Sequence, residues 1–497
     1  MSLKPGWWLA AILFAYLVLA VNLDRTSLPL CDEAWFASPG LNLVTTGVFS
    51  TSVLDETSGW GERNLHGIHT HTYWILPLHP LMVGAWSLIM GNSLFAIRLL
   101  SAAWGVLALL AWYVTARKLS GEVRAALFAV ALLAIDFQFL WSAAVGRMDM
   151  MTQAFIASSF AAFLCLREQD FAKAVLASHA LMACAAMTHP IALGAFAGLI
   201  FLTLYYDWRR IRVKYVALAV APYLVGAISW GLYIREDPAM FWGQFYGNLT
   251  GRLARDGGLF ASLWAQFSER FLYLYGMAPD TRGFSHVKIV LLAVYFAAVA
   301  AALLMPDFRQ RREYRALLLL IAVQVVVYSG LDKHPQMFYL VHIMAPVIVL
   351  TALVMDWLLR TKRAPIWAVV SLGAILLMVQ CSVTWSRIRA DAYHTLYLDT
   401  TNYLKQHTSP GDLIMGSSEL GFELGFEGNL VDDFRLGYVS GKRPDVIVLD
   451  KNRYQEWIPN LKKSQPEAWR FASELLERDF REVNRNAAYV TYLRISR

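Results

Sequence analysis

The sequence predicts a polytopic α-helical membrane protein of about eleven transmembrane helices, followed by a C-terminal α/β domain. Three observations carry that expectation. Hydrophobic residues make up 57% of the 497 and charged residues only 16%, a balance no ordinary soluble domain shows. Several apolar runs reach the roughly 20 residues that a helix needs to cross a bilayer core. The lysines and arginines cluster between those runs, so the +7 net charge needs no nucleic acid to explain it.

The first span is expected at 7–22, leaving the cytoplasm. Lys4 ahead of it reads as the flank of an uncleaved anchor, because no small-residue cleavage site follows a short apolar core. An external loop, 23–91, comes next. Its last part, 73–90, is apolar but carries Pro77, His79 and Pro80 and lacks a basic cytoplasmic flank, which suits a helix lying along the interface. Further spans are expected at 94–116, 125–143, 150–166, 172–188, 191–206 and 215–234. A second external loop, 235–286, precedes spans at 287–305, 316–331, 337–359 and 365–384. Along this path Arg117/Lys118/Arg124, Arg167/Lys173, Arg209/Arg210/Arg212/Lys214, Arg309/Arg311/Arg312/Arg315 and Arg360/Lys362/Arg363 all fall on one side. That agreement is what the positive-inside rule demands of a cytoplasmic face.

After Thr384 the composition turns polar. Residues 1–385 therefore read as the membrane domain and 386–497 as a soluble α/β domain. Turn signals stand at Ser409-Pro410-Gly411-Asp412 and Gly441-Lys442-Arg443-Pro444. The β-branched runs 446–448 and 489–492 alternate with helical stretches such as 466–478. An odd number of spans puts this domain outside with the two loops. Four cysteines are too few for a disulfide framework, and no structural disulfide is expected. No inverted repeat of the transporter kind is visible.

The chemistry points to the outer face. Cys31-Asp32-Glu33-Ala34-Trp35-Phe36 places two adjacent carboxylates just after the first span. Acids also favour the first turn of any helix, so the pair alone decides little. The second acid, Asp149 in Gly146-Arg147-Met148-Asp149-Met150, falls on the same face by topology, with a structural Arg147–Asp149 ion pair as the competing reading. Asp136, inside a span, reads as a buried hydrogen-bonding group. The run His66-Gly67-Ile68-His69-Thr70-His71 admits a divalent cation on His66, His69 and His71, with Glu62 or His79 completing the set. Phe241, Trp242, Phe245 and Tyr246 suit an interfacial helix that anchors the second loop or lines a lipid groove.

The order of these features resembles the GT-C membrane glycosyltransferases, specifically glycosyltransferase family 39, which includes protein O-mannosyltransferases and lipid A aminoarabinose transferases. The resemblance runs over 7–346: one span, Asp-Glu with an aromatic close behind, a Pro-rich end to the loop, Gly91-Asn92-Ser93-Leu94-Phe95-Ala96-Ile97-Arg98, an Arg-x-Asp at an outer turn and Thr188-His189-Pro190 at the next. It implies that Asp32 is a general base, with Glu33 beside it and Asp149 as the second acid. A positioned carboxylate takes the acceptor's proton, and a second acid steadies oxocarbenium-like charge. It also implies a polyprenyl-phosphate sugar as donor, inversion at the sugar, and cations on the phosphate. The candidates are Arg147, His189, Arg252, Arg255 and Lys333, with His334 beside the last, and each has the alternative of an interfacial snorkelling residue. Two departures are plain. Family members often carry Lys where His189 stands, and the acid-Lys-Pro run of the aminoarabinose enzymes is absent. The expected acceptor is thus a lipid, glycan or protein, and the expected location a plasma or inner membrane with the site outside. A transporter or flippase of lipid-linked sugars is the alternative, and a receptor anchored by its spans a weaker one.

Overall fold

A computed structural model describes residues 5–58, 64–253, 258–279, 281, 283–332, 336–426, 429–451 and 453–495, the side chains of 251–253 and 456 excepted. Among these, nine helices are long and apolar enough to cross a membrane, and a tenth is made by a bent pair. The protein is a multi-pass membrane protein. The first spans are α1 (Pro5–Thr26), then, after the loop helices α2 (Cys31–Thr46) and α3 (Leu78–Met90), the 27-residue α4 (Leu94–Ser120). The span expected at 125–143 is instead broken: α5 (Val123–Ile135) and α6 (Phe137–Ala143) meet at 64°. Asp136 makes the break. Its Oδ1 accepts from the backbone N–H groups of Gln138 and Phe139, both at 3.0 Å, starting a new helix. Its Oδ2 accepts from Tyr295 Oη (3.0 Å) and Gln380 Nε2 (2.8 Å).

The bundle continues with α7 (Asp149–Leu166), α8 (Phe171–Thr188), α9 (Ala192–Asp207) and α10 (Val213–Ile234). With 16 residues α9 is too short to count among the nine, yet it runs from beside His189 at one end of the bundle to Asp207, which pairs with Arg167 at the other. After the second loop come α11 (Ile289–Leu304), α12 (Arg312–Leu331), α13 (Val341–Thr361) and α14 (Ile366–Ala390). Helix α13 is buried almost throughout, from Val341 to Trp357, and forms the axis of the core.

The five basic connections meet at one end of the bundle. Arg124 and Arg360 share Asp356 (3.0 and 2.7 Å), and Arg363 pairs with Asp307. Arg312 donates to the Tyr206 carbonyl at 3.1 Å, and Arg210 to the Arg167 carbonyl at 2.6 Å, while Arg167 pairs with Asp207 at 2.7 Å. The opposite end carries the two long loops and the tail.

At that end α2 and α3 cross with their backbones touching. A Cβ on Gly84 would lie 2.6 Å from the Gly40 carbonyl oxygen, and one on Gly40 would collide with the carbonyl of Pro80. Small residues permit this approach. The expected boundary at 385/386 falls inside α14, and a further helix, α15 (Leu398–His407), precedes the sheet. The sheet has five strands in the order β2-β1-β3-β5-β4: β1 (Ile414–Gly416), β2 (Leu430–Val431), β3 (Val446–Asp450), β4 (Phe480–Arg485) and β5 (Tyr489–Arg494). Strand β1 runs parallel to β2 and β3, and β5 antiparallel to β3 and β4. Two amphipathic helices, α16 (Tyr454–Ser464) and α17 (Pro466–Asp479), join β3 to β4. The first loop is part of this sheet's edge, since Leu54 forms a parallel bridge with Asp432.

Candidate functional site

The site begins in the first turn of α2. Leu30 N–H donates to Glu33 Oε2 at 2.9 Å, the return half of a capping box. Glu33 does more than cap. Its Oε1 accepts from Arg98 Nε and from the backbone N–H of Gly146, both at 2.7 Å, and its Oε2 accepts from Arg98 Nη2 at 2.7 Å. Arg98 spends its remaining N–H groups on the carbonyls of Asp24 (2.6 Å), Ser27 (3.0 Å) and Leu28 (3.3 Å). Both side chains are fully buried. One ion pair therefore ties the end of α1, the start of α2 and the turn before α7. Gly146 is required there, because a Cβ would sit 2.7 Å from Ile97 Cγ2 and 3.3 Å from Glu33 Oε1. Expected as an acid beside the base, Glu33 is a closed structural group with no oxygen left over.

Asp32, one residue earlier, points the other way. Its Oδ2 pairs with Arg147 Nη1, and its side chain keeps 25% exposure. Arg147 Nε also donates to Asp149 Oδ2 at 2.8 Å. The guanidinium is buried between the rings of Phe338 (3.9 Å) and Phe36 (5.1 Å). The structure thus brings Asp32, Arg147 and Asp149 together, with the arginine bridging the two acids. As a phosphate ligand Arg147 is compromised, because two carboxylates already occupy it.

Among the described residues Asp149 Oδ1 accepts no hydrogen bond, and three imidazoles act on it electrostatically. His189, His342 and His79 all lie within its electrostatic reach. Burial pushes the His79 imidazole down to about 4 against the pull of Asp149, so it is neutral near pH 7. His342 Nδ1 meets Gln153 Oε1 at 3.0 Å. His189 turns inward: its Nδ1 accepts from the Ile191 N–H at 3.0 Å, and its ring lies 4.7 Å from that of Tyr339.

The histidine run does not gather. His66 and His69 both face Glu56 Oε2, at 3.3 and 3.8 Å, while His71 turns to Glu236 of the second loop at 3.1 Å. Among the described residues no three His, Cys, Asp or Glu groups converge as a metal set. Glu62 lies outside the described residues. So do Arg255, Lys333 and His334, and the side chain of Arg252. The second loop holds the first through Gln244, which accepts from Tyr73 N–H (2.7 Å) and donates to the His71 and His66 carbonyls (3.0 and 3.2 Å). Trp242 and Tyr246 stand more than half exposed on the opposite face of this helix.

Residues 71–233 match the family model described as dolichyl-phosphate-mannose-protein mannosyltransferase, a stretch that holds Arg147, Asp149 and His189 but not Asp32. Among solved structures, ArnT from Cupriavidus metallidurans bound to undecaprenyl phosphate is similar over 99% of both chains, with a TM-score of 0.62 and 16% identity. The oligosaccharyltransferase of Archaeoglobus fulgidus gives 0.50 at 12% identity over 89% of this chain and 70% of its own. The arabinofuranosyltransferase AftD from Mycobacteria gives 0.51 at 13% identity, over 100% of this chain and 40% of its own. The chain has the GT-C fold. No curated protein matches it in sequence.

Within this GT-C frame, sequence reasoning missed the groups that hold the site. Arg98 reads in sequence as the first cation of a long apolar helix, and His342 as a lone histidine inside another. Arg270, within the second loop, is fully buried and paired with Asp332. The signal for Arg98 and His342 is the same: a charged or imidazole group within an apolar run, which is costly without a partner.

Proposed function

We propose that the protein is an inverting glycosyltransferase that moves a sugar from a polyprenyl-phosphate donor to a lipid, glycan or protein acceptor. Its site faces the extracytoplasmic side of a plasma or inner membrane, since the basic connections gather at the other end. The observation that carries this reading is Asp32, a part-exposed carboxylate fixed by Arg147 beside a second acid, on a fold shared with an ArnT solved with undecaprenyl phosphate.

In this reading Asp32 accepts the acceptor's proton as the acceptor oxygen attacks the anomeric carbon. The bond from that carbon to the phosphate oxygen breaks, and polyprenyl phosphate leaves with the electron pair. Arg147 bridges the two acids, and Asp149 opposes the positive charge that builds on the sugar ring. His189, Arg252, Arg255 and Lys333 are the sequence-chosen candidates for the phosphate. A transporter would use the break at Asp136, but that carboxylate is fully engaged by Tyr295, Gln380 and the α6 N-terminus, which supports the transferase reading instead.

The test is a pair of detergent assays with the purified chain, one with radiolabelled polyprenyl-phosphate sugar and one with the nucleotide sugar. Release of free polyprenyl phosphate in the first is expected. Transfer from the nucleotide sugar alone overturns the reading.

A further inference from the structure

Two cations at the site end pair with no acid among the described residues. Lys288 stands just before α11, and Arg387 lies in the last turn of α14. Both reach the ring of Phe137, Lys288 Nζ at 5.4 Å and Arg387 Cζ at 6.0 Å from its centroid. Arg387 also lies 5.5 Å from the Trp141 ring, which stacks on Phe338 at 4.8 Å. Phe338 in turn underlies Arg147 at 3.9 Å, so two rings separate this cation pair from the Asp32–Arg147–Asp149 group. Both cations are half-buried, and neither meets a carboxylate among the described residues. The buried arginines nearby contrast with them: Arg98 has Glu33, Arg147 has two aspartates, and Arg270 has Asp332. Aromatic faces offset part of the repulsion between two like charges, and an anion between them would remove it.

Next to this pair is a groove of about 290 Å³ between α1, α5 and α14. Leu19, Ile135, Trp385 and Ile388 line it, with Cys381 and Thr384. Thr384, Trp385 and Ile388 lie within a turn of Arg387 on the same helix, and Ile135 is two residues from Phe137. Trp385 is 64% exposed, so the groove opens on the surface of the bundle that faces hydrocarbon. An apolar groove within a helix turn of two cations that meet no carboxylate among the described residues fits a molecule that is a chain at one end and an anion at the other.

We propose that Lys288 and Arg387 bind the phosphate of a polyprenyl monophosphate whose chain lies in the α1–α14 groove. This deepens the polyprenyl-phosphate reading and rests on it. Two cations without an acid match the charge of a phosphate monoester, about −1.5 to −2 near neutral pH, better than that of the sugar-bearing diester. The site is thus suited to the spent carrier after the sugar has left.

The experiment measures binding of radiolabelled polyprenyl phosphate to the full chain in detergent, for wild type and for the Lys288→Gln/Arg387→Gln variant. Parent polyprenol and inorganic phosphate serve as competitors. The double variant is expected to bind at least about tenfold more weakly, as loss of a charged hydrogen bond implies, and both competitors are expected to fail. Because the substitutions remove an unpaired like-charge pair, the lipid-free thermal midpoint is expected not to fall. Unchanged affinity in the variant overturns the site while wild-type turnover of the lipid-linked sugar leaves the donor reading standing. Polyprenol competing as well as its phosphate overturns the headgroup assignment, and inorganic phosphate competing as well overturns the groove.

Discussion

At the scale of single residues, neighbours 32 and 33 have opposite fates. Glu33 is enclosed by Arg98 and two backbone N–H groups, so losing its partner strands a buried charge. Arg98→Leu is expected to cost about 3–5 kcal/mol of stability. A double variant with Glu33→Leu should recover part of it, and thermal unfolding of the purified variants measures both. Asp32 is held on one oxygen by Arg147 and is partly open to solvent. Asp32→Asn is therefore expected to fold normally and to lower turnover by at least ~10², measured as polyprenyl phosphate released from the lipid-linked sugar. The sequence makes Asp32 and Asp149 legible because topology puts both on one face. It does not reveal which of two adjacent acids is the lock, because Arg98 is 65 positions away and looks like an ordinary helix cation.

At the scale of elements, the helix that carries Asp32 leans on the tail. Trp35 Nε1 donates to Asp432 Oδ2 at 3.1 Å, and the Arg453 guanidinium lies 4.5 Å over the Trp35 ring while pairing with the same aspartate. Trp35→Phe keeps the ring and removes the donor. It is expected to weaken the joint by about 1.5–3 kcal/mol, the range for a hydrogen bond to a charged group, seen as faster hydrogen exchange over 31–46 and in the sheet. The joint is also acidic. Glu419, Asp432 and Asp450 are buried around Arg453, with Tyr397 donating to the Glu419 carbonyl and Tyr489 to its carboxylate. Burial, then the nearby Asp450, pushes the Glu419 carboxyl up to about 8. Folded protein thus holds a proton that unfolded chain releases in the ordinary glutamate range. Stability is expected to decline as pH rises from that range to about 8 and to level off above it. Thermal unfolding at pH 6 and 9 measures the difference, and Glu419→Gln should abolish it. Helices and strands here were mostly legible from period, length and flanks. The break at Asp136 was not, since an aspartate N-cap inside an apolar run needs Tyr295 and Gln380 from distant helices to be tolerable.

At the scale of the whole molecule, the two ends differ in kind: one gathers the five basic connections, the other holds the two long loops, the Asp32–Arg147–Asp149 group and the tail. Cysteines introduced at Gly121 and Arg210 are expected to label from the cytoplasmic side, and those at Asn64 and Gly441 from the other, in a background lacking the native four. Labelling of Gly441 from the cytoplasm would separate the tail from the site. The overall path was readable because every basic flank obeys one rule. The Lys288–Arg387 pair was not, because each looks like an ordinary end-of-helix cation until the fold brings them to one ring. The contact between Trp35 and Asp432 also has a consequence in time. These residues are 397 positions apart, so during synthesis the helix bearing Asp32 is made long before its support exists. A chain released early carries the acid but not its backing, which waits for Asp432 after β2 and Arg453 after β3.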